Sequence, residues 1–282
     1  MSDPLPSRPT LNLIGCGRLG KTLGHLAHRH GVLAVQDILT TSTASAEQAV
    51  AFIGAGRAVD RLEALRAADV WLLAVPDTQI APMAQALADR AARRPELPPA
   101  LAVHGSGALA AEVLASLAAR GWATASAHCI LSFADPAMAV QQFAGVSCAL
   151  EGDAAALQQL QPWLQALGAL CFEIAPRDKL LYHAAAVFAT NFLPVLQATA
   201  EALWQRSGVP AEQLPALRAR LLRLAVDNVL AQGPAGALTG PAARGDWALV
   251  QRQGEAVAAW NADAGAAYTA LSALAGQLAR SR

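Results

Sequence analysis

Lysine is nearly missing from this chain of 282 residues: Lys21 and Lys179 stand alone, so almost all of its 21 basic residues are arginine. Where a plain surface cation suffices the chain uses Arg, which singles out both lysines. Charged residues make up 15%, aromatics 5%, and the formal net charge is zero. No Lys/Arg cluster is interleaved with aromatics, so the electrostatic footprint of a nucleic-acid binder is absent. The four cysteines, Cys16, Cys129, Cys148 and Cys171, have no paired spacing. That argues against a metal knuckle or disulfide framework and for a reducing cytoplasm. His128 and Cys129 are neighbours whose side chains point apart in an extended chain, so they do not read as a dyad. His25, His28 and His30 have no nearby acid and read as solvated surface residues, so no metal site is expected. The first ten residues, MSDPLPSRPT, hold an acid and three prolines and do not read as a signal peptide. The apolar runs fall short of the roughly 18 residues that mark a membrane span, and no membrane contact is expected. What is present is an apolar fraction of 54%, enough for a large core, in a chain long enough for two domains.

The chain is organised around LNLIGCGRLGKT, residues 11 to 22. An apolar run, Leu11 to Ile14, meets Gly15, Gly17 and Gly20 and passes into a helical pattern, with Leu19, Leu23, Leu26 and Ala27 on one face. A strand turning tightly into a helix aims unpaired N–H groups and a positive dipole end at one point, which suits a phosphate. In a dinucleotide fold Gly15 makes the turn, Gly17 admits the pyrophosphate and Gly20 lets helix pack on sheet. Gly15 to Thr22 also satisfies the P-loop pattern of a nucleotide triphosphatase, which needs in addition an acid at the end of a neighbouring strand. The next strongly apolar strand ends in Pro76, with Asp77 beyond it.

Further along, 33 to 41 reads as a strand, SAEQAVAFIG and RLEALRAA as helices, 70 to 76 as a strand, and DTQIAPMAQALADRA as a helix. Strands follow at 100 to 107, 122 to 128, 145 to 152 and 169 to 174, with helices over GALAAEVLASLAARG and 153 to 167. CILSFADP reads as irregular. Continuously apolar strands alternating with amphipathic helices predict a mostly parallel, Rossmann-type α/β sheet over residues 1–174. From Asp178 onward only helical patterns remain, so residues 175–282 read as an all-α domain, with the break at Pro176. The second strand ends in Thr40, Thr41 and Ser42 where a NAD-specific fold carries an acid, which favours NADP and leaves NAD open. Arg57 and Arg61 lie too far along to be placed. Val75, Pro76 and Asp77, and His104 and Gly105, fall at carboxyl ends of strands, where open α/β sheets bind ligands. Ser106 reads either as a helix N-cap or as an anion-holding hydroxyl.

A second constellation lies on the helix from Asp178. Lys179 and His183 are four apart and share a face, with Asn191 about 80° further round. Three polar groups on an otherwise apolar helix read as a site rather than a solvated stripe.

Taken together, IGCGRLG, LLAVPD, VHGSGAL, HCILSFADP, DKLLYHAAAVFATNF and ALTGPAARGD resemble a family of NADP-dependent oxidoreductases in which a Rossmann-like domain is fused to a helical domain of unknown function. The resemblance runs over nearly the whole chain and favours the dinucleotide loop over the P-loop. The family is similar in plan to pyrroline-5-carboxylate reductase and to the 6-phosphogluconate and 3-hydroxyacid dehydrogenases. It implies cofactor contacts from Gly15, Cys16, Gly17, Arg18, Leu19 and Gly20 together with the strand-end residues above. It also implies catalytic roles for Lys179, Asn191 and Ser106, with His183 and His128 lining the same cleft. Two departures stand out: His183 occupies the position one turn from Lys179 where the hydroxyacid dehydrogenases place Asn, and Thr41 stands where the family often has Arg. The expected activity is hydride transfer to or from a C=O or C=N carbon of a small carboxylate-bearing molecule. A catalytically silent NADPH sensor is the alternative. The apolar girth of 178 to 206 predicts a homodimer through the helical domain.

Overall fold

The computed structural model describes residues 8–281; the segment in which no signal peptide is expected lies mostly outside the described residues. The first strands and helices are β1 (Thr10–Ile14), α1 (Arg18–Arg29), β2 (Ala34–Leu39), α2 (Thr43–Ile53), β3 (Arg57–Val59), β4 (Val70–Leu73), α3 (Asp77–Arg93) and β5 (Leu101–His104). There follow α4 (Ala115–Ala118), β6 (Ala123–Cys129), α5 (Pro136–Gln142), β7 (Ser147–Gly152), α6 (Ala154–Ala166) and β8 (Leu170–Glu173). The strands form one sheet in the order β3-β2-β1-β4-β5-β6-β7-β8. The first six stand in the 3-2-1-4-5-6 order of a dinucleotide-binding sheet. Neighbours run parallel except β6 and β7, which are antiparallel.

Alternate residues of a strand face opposite sides, and the core divides accordingly. Leu11, Leu13 and Leu72 join one apolar cluster with Leu23, Leu26, Leu160 and Leu164. Ile14, Trp71 and Leu73 join the other with Ile80, Leu87 and Leu117. Both faces are therefore covered by helices, as the unbroken apolar strands predict.

Three sequence expectations are corrected. RLEALRAA forms a single 3₁₀ turn, Leu62–Ala64, preceded by the short strand β3. The cause is Asp37, sealed within the sheet, which draws Arg57 and Arg66 to itself at 2.9 and 2.8 Å and takes the Arg66 backbone N–H as well. Burial pushes the Asp37 carboxyl up, but the Arg66 and Arg57 bonds outweigh it and hold the group below its usual value. GALAAEVLASLAARG is helical only from Ala111, first as 3₁₀ and then as α4, because the Ser106 hydroxyl and the Glu151 carboxylate hold its opening turns apart. CILSFADP is irregular only as far as Asp135: its Pro136 opens α5, which Asp135 caps by accepting from Ala137 N.

The chain divides into two compact units, one reaching Ala186 and one starting at Val187. Helix α7 (Lys179–Ala186) therefore groups with the sheet, although the sequence break is at Pro176. The second unit holds a π-helical turn (Val187–Asn191), α8 (Phe192–Arg206), α9 (Leu214–Ala237), α10 (Trp247–Trp260) and α11 (Ala262–Ala279). No residue of α8 is buried. The run Pro176–Arg206 is, by length and composition, long and apolar enough to cross a membrane. The unbroken apolar runs inside it stay short, as expected; His183, Thr190 and Asn191 interrupt them without adding charge.

Candidate functional site

The glycine loop closes β1 onto α1. Gly15 has φ +73°, and a Cβ there would stand 2.5 Å from Val75 Cγ1 and 2.8 Å from the Ala74 carbonyl. A Cβ on Gly20 would stand 2.9 Å from the Gly15 carbonyl, so both positions demand glycine. At Gly17 a Cβ would meet nothing within 4 Å. Gly17 is also the N-cap of α1, where no side chain caps the helix and no acid stands in the first turn. The first-turn N–H groups thus have no side-chain cap and stand at a positive dipole end beside the open Gly17. An uncapped helix end with an open glycine fits the pyrophosphate of a dinucleotide. Cys16 is buried, and burial pushes its thiol up to about 12, so it contributes backbone rather than thiolate.

Beside this loop lies a cleft of about 380 Å³ lined by Gly15, Thr40, Thr41, Asp60, Arg61 and Val75. Arg61 and Asp60 are exposed and paired at 3.2 Å. The Thr40 hydroxyl donates to the Ser42 carbonyl, and the Ser42 hydroxyl caps α2 by accepting from Ser45 N. Thr41 and the Asp60–Arg61 pair are the polar groups that line the cleft outside that turn.

At the ends of β4 and β5 the polar groups serve the loop they sit in. The Ser106 hydroxyl donates to Asp77 at 2.8 Å and accepts from Ala108 N and Leu109 N. It thus closes the turn ahead of the helix and is not the helix N-cap that the sequence offered, since the helix begins at Ala111 with Ala110 as its N-cap. His104 is fully buried, with Nδ1 accepting from Ser106 N and Nε2 against the Ala110 carbonyl. Burial, helped by the Lys179 charge, lowers its pKa to about 4, so it is neutral. Leu19 presses on Gly105, where a Cβ would lie 2.2 Å from it, and so the first turn of α1 touches the end of β5.

The groups next to this edge come from β6, β7 and α7. Lys179 is buried, with Nζ donating to Ser126 Oγ and reaching Glu151 Oε2 at 3.3 Å. Glu151 also accepts from Ala111 N at 2.9 Å. Burial lowers the Lys179 pKa, and Glu151 works against that shift. One turn along, the His183 ring meets the His128 ring edge to face at 5.6 Å. A Cβ on Gly107 would stand 2.4 Å from His183 Nδ1 and 2.9 Å from His128 Nε2. Gly107 therefore makes room for two imidazoles. His183 Nδ1 is buried without a hydrogen-bond partner. The Tyr182 hydroxyl lies 2.9 Å from His128 Nδ1. Burial, then the neighbouring His183 and Lys179, lowers the His128 pKa to about 4, so this ring too is neutral at pH 7. Asn191, in the second unit, accepts from the Thr190 hydroxyl at 2.9 Å.

Comparison with known proteins bears on both halves of this arrangement. Residues 1–129 match a Rossmann-like domain, and residues 146–275 match a domain of unknown function, DUF2520. The chain is a Rossmann-like domain followed by a DUF2520 domain. No curated protein matches it. Among solved structures it is similar to the protein TM1727 from Thermotoga maritima, at 25% identity and TM-score 0.74, covering 96% of this chain and 99% of that one. An imine reductase from Myxococcus stipitatus (V8 variant) in complex with NAD+ has the same fold at 21% identity and TM-score 0.60, covering 93% and 92%. So does a Plasmodium falciparum pyrroline carboxylate reductase with NADP bound, at 13% identity and TM-score 0.56, covering 95% and 98%.

The glycine loop, His104, Ser106 and His128 thus belong to the Rossmann-like match, and Glu151, Lys179, His183 and Asn191 to the DUF2520 match. Sequence reasoning missed Glu151, Ser126 and Tyr182, and it left Arg61 unplaced. Glu151 had a signal, an acid inside the otherwise apolar run SCALEG. Tyr182 had a weaker one, a ring beside His183. His25 is not a solvated residue as expected: it is half-buried, against Phe52, with Nδ1 3.0 Å from the Phe52 carbonyl. Folding also brings the unspaced Cys129 and Cys148 together as free thiols, 3.1 Å apart across β6 and β7.

Proposed function

We propose that the chain is an NADP-dependent oxidoreductase passing hydride to or from the C=O or C=N carbon of a small carboxylate-bearing molecule. One observation carries this reading. Leu19, in the uncapped first turn of α1, lies against Gly105, two residues before the Gly107 at which His128 and His183 meet. A phosphate-binding helix end and a pair of proton-transfer rings thus share one edge of the sheet. Similarity to an imine reductase and a pyrroline carboxylate reductase supports the C=N alternative.

NADP, when bound, supplies the hydride. The chain's own residues do the rest. The N–H groups at the start of α1 hold the pyrophosphate. Arg61 and Thr41 take the 2′-phosphate, with Arg61 exchanging Asp60 for the ligand. His183 exchanges the proton at the substrate heteroatom, general acid–base work for which an imidazole is the usual side chain. His128, neutral at pH 7, orients His183. Lys179 works as a positioning residue: through Glu151 and Ser126 it fixes the strand ends around the rings.

The second part of the proposal is a homodimer. Leu181, Phe188, Val195 and Leu230 are exposed at 59% or more, and burying such side chains gains roughly 25 cal/mol per Å². A second copy covers them. Light scattering at micromolar concentration should give twice the chain mass. A monomeric mass would overturn the dimer, and solubility only in detergent would place Pro176–Arg206 in a bilayer instead.

A thermal-shift screen against NADPH, NADH and Mg-ATP tests the main reading, followed by carbonyl and imine acids with NADPH present. A ligand at 100 times its Kd stabilises by about 2.7 kcal/mol. Stabilisation by Mg-ATP alone would sink the dinucleotide reading. NADPH binding without turnover of any acid would leave a sensor.

A further inference from the structure

We propose that Tyr182 is a positioning residue that sets the tautomer of His128, and through it which ring nitrogen carries a proton on the side of His183. The role in proton transfer rests on the function proposed above; the tautomer does not. His128 is neutral, so one of its ring nitrogens carries a proton and the other a lone pair. Its Nδ1 faces the Tyr182 hydroxyl at 2.9 Å. The other acceptor within reach of that hydroxyl, the His128 carbonyl, lies at 3.4 Å, beyond the usual O–H···O range. The hydroxyl proton therefore goes to Nδ1, which leaves the ring proton on Nε2.

His128 Nε2–H points at the same spot beside Gly107 as His183 Nδ1, the buried atom without a partner. The Tyr182 hydroxyl donates to His128 Nδ1, and the His128 Nε2–H it leaves is the donor on the side of His183, across a gap that no hydrogen bond closes. Tyr182 stays protonated, since burial pushes its hydroxyl up to about 12. Its ring is also held edge to face on His128 at 5.5 Å and on Phe172 at 6.3 Å, so the hydroxyl is aimed by packing.

The test is nitrogen NMR of protein labelled with ¹⁵N-histidine, at neutral pH without substrate. His128 should carry its proton on Nε2 with roughly tenfold preference, the ratio one hydrogen bond supplies. Tyr182→Phe keeps the ring and removes the hydroxyl, and the preference should fall below about threefold. Phe172→Leu, which disturbs the packing and keeps the hydroxyl, should leave the preference in place. A wild-type His128 protonated on Nδ1, or a tautomer ratio unmoved in Tyr182→Phe, overturns the inference. Should Tyr182→Phe not fold, the wild-type spectrum alone decides. NADPH binding, measured on the same samples, separates failure of this inference from failure of the oxidoreductase reading.

Discussion

The ammonium of Lys179 and the carboxylate of Glu151 form an ion pair at 3.3 Å, with 2% and 3% of their side chains exposed. Breaking such a pair from one side strands a buried charge, which costs about 3–5 kcal/mol. Lys179→Ala should lose that much in denaturant unfolding. Lys179→Met with Glu151→Gln should recover roughly half, because the amide still accepts from Ala111 N and no lone charge is left. A single variant within about 1 kcal/mol of wild type would show that the pair contributes little to the fold.

His104 and His128 bring a pH dependence of definite sign. Both have folded pKa values lowered to about 4 by burial, against 6.5 for the free side chain. Below 6.5 the unfolded chain takes up protons that the folded one refuses. Stability is therefore fully present above about pH 6.5 and is lost as pH falls toward 4, with a slope of at most about 1.4 kcal/mol per pH unit for each ring. Urea midpoints measured from pH 7.5 to 4.5 should fall, and His104→Asn should flatten the curve. A midpoint independent of pH in that window contradicts the neutral rings.

Two glycine substitutions separate cofactor binding from proton transfer. Gly17→Ala places its methyl in open space, so unfolding free energy should change by no more than about 1 kcal/mol while NADPH affinity falls at least tenfold. Gly107→Ala drives a methyl into both imidazoles. It should keep NADPH affinity within about threefold and lower kcat by roughly 10²-fold or more, as should His183→Ala. Equal loss of cofactor affinity in all three variants would mean that the two ends of the site are not distinct.

Arg61 and Thr40 should decide between the two nicotinamide dinucleotides. Fluorescence titration should show NADPH binding more tightly than NADH. Arg61→Ala should cost NADPH about tenfold and leave NADH nearly unchanged, the effect of one exposed charge-assisted hydrogen bond. Thr40→Asp should reverse the order by repulsion of the 2′-phosphate. A wild type that prefers NADH would instead give the cleft's acid, Asp60, the ribose hydroxyls.

The mostly parallel sheet was legible because apolar runs such as those of β4 and β5 alternate with helical patterns, and the glycine loop because its spacing has a geometric cause. The failures share another cause: side chains far apart in sequence override local pattern. RLEALRAA has helical periodicity, yet Asp37 on β2 reorganises Arg57 and Arg66 around itself. The helix after Ser106 starts late because Glu151, forty residues on, takes its Ala111 N–H. In the site, Lys179 and His183 stood out as polar groups on an apolar helix. Periodicity could not say that one would be sealed against Glu151 and the other left beside His128, since that depends on how β6 and β7 pair.

That pairing has a practical consequence. The boundary between the two family matches falls between β6 and β7, inside a single sheet and not in a linker. A fragment ending at residue 145 would present β6 as a bare edge, with Ser126 and Cys129 stripped of their neighbours on β7. Exposed edges of that kind recruit other strands and aggregate. The complementary fragment would begin with a two-stranded ribbon, which is marginal in water by itself. The two matched halves are, in this molecule, not interchangeable modules: swapping one for a relative's would require matching the β6–β7 register residue by residue.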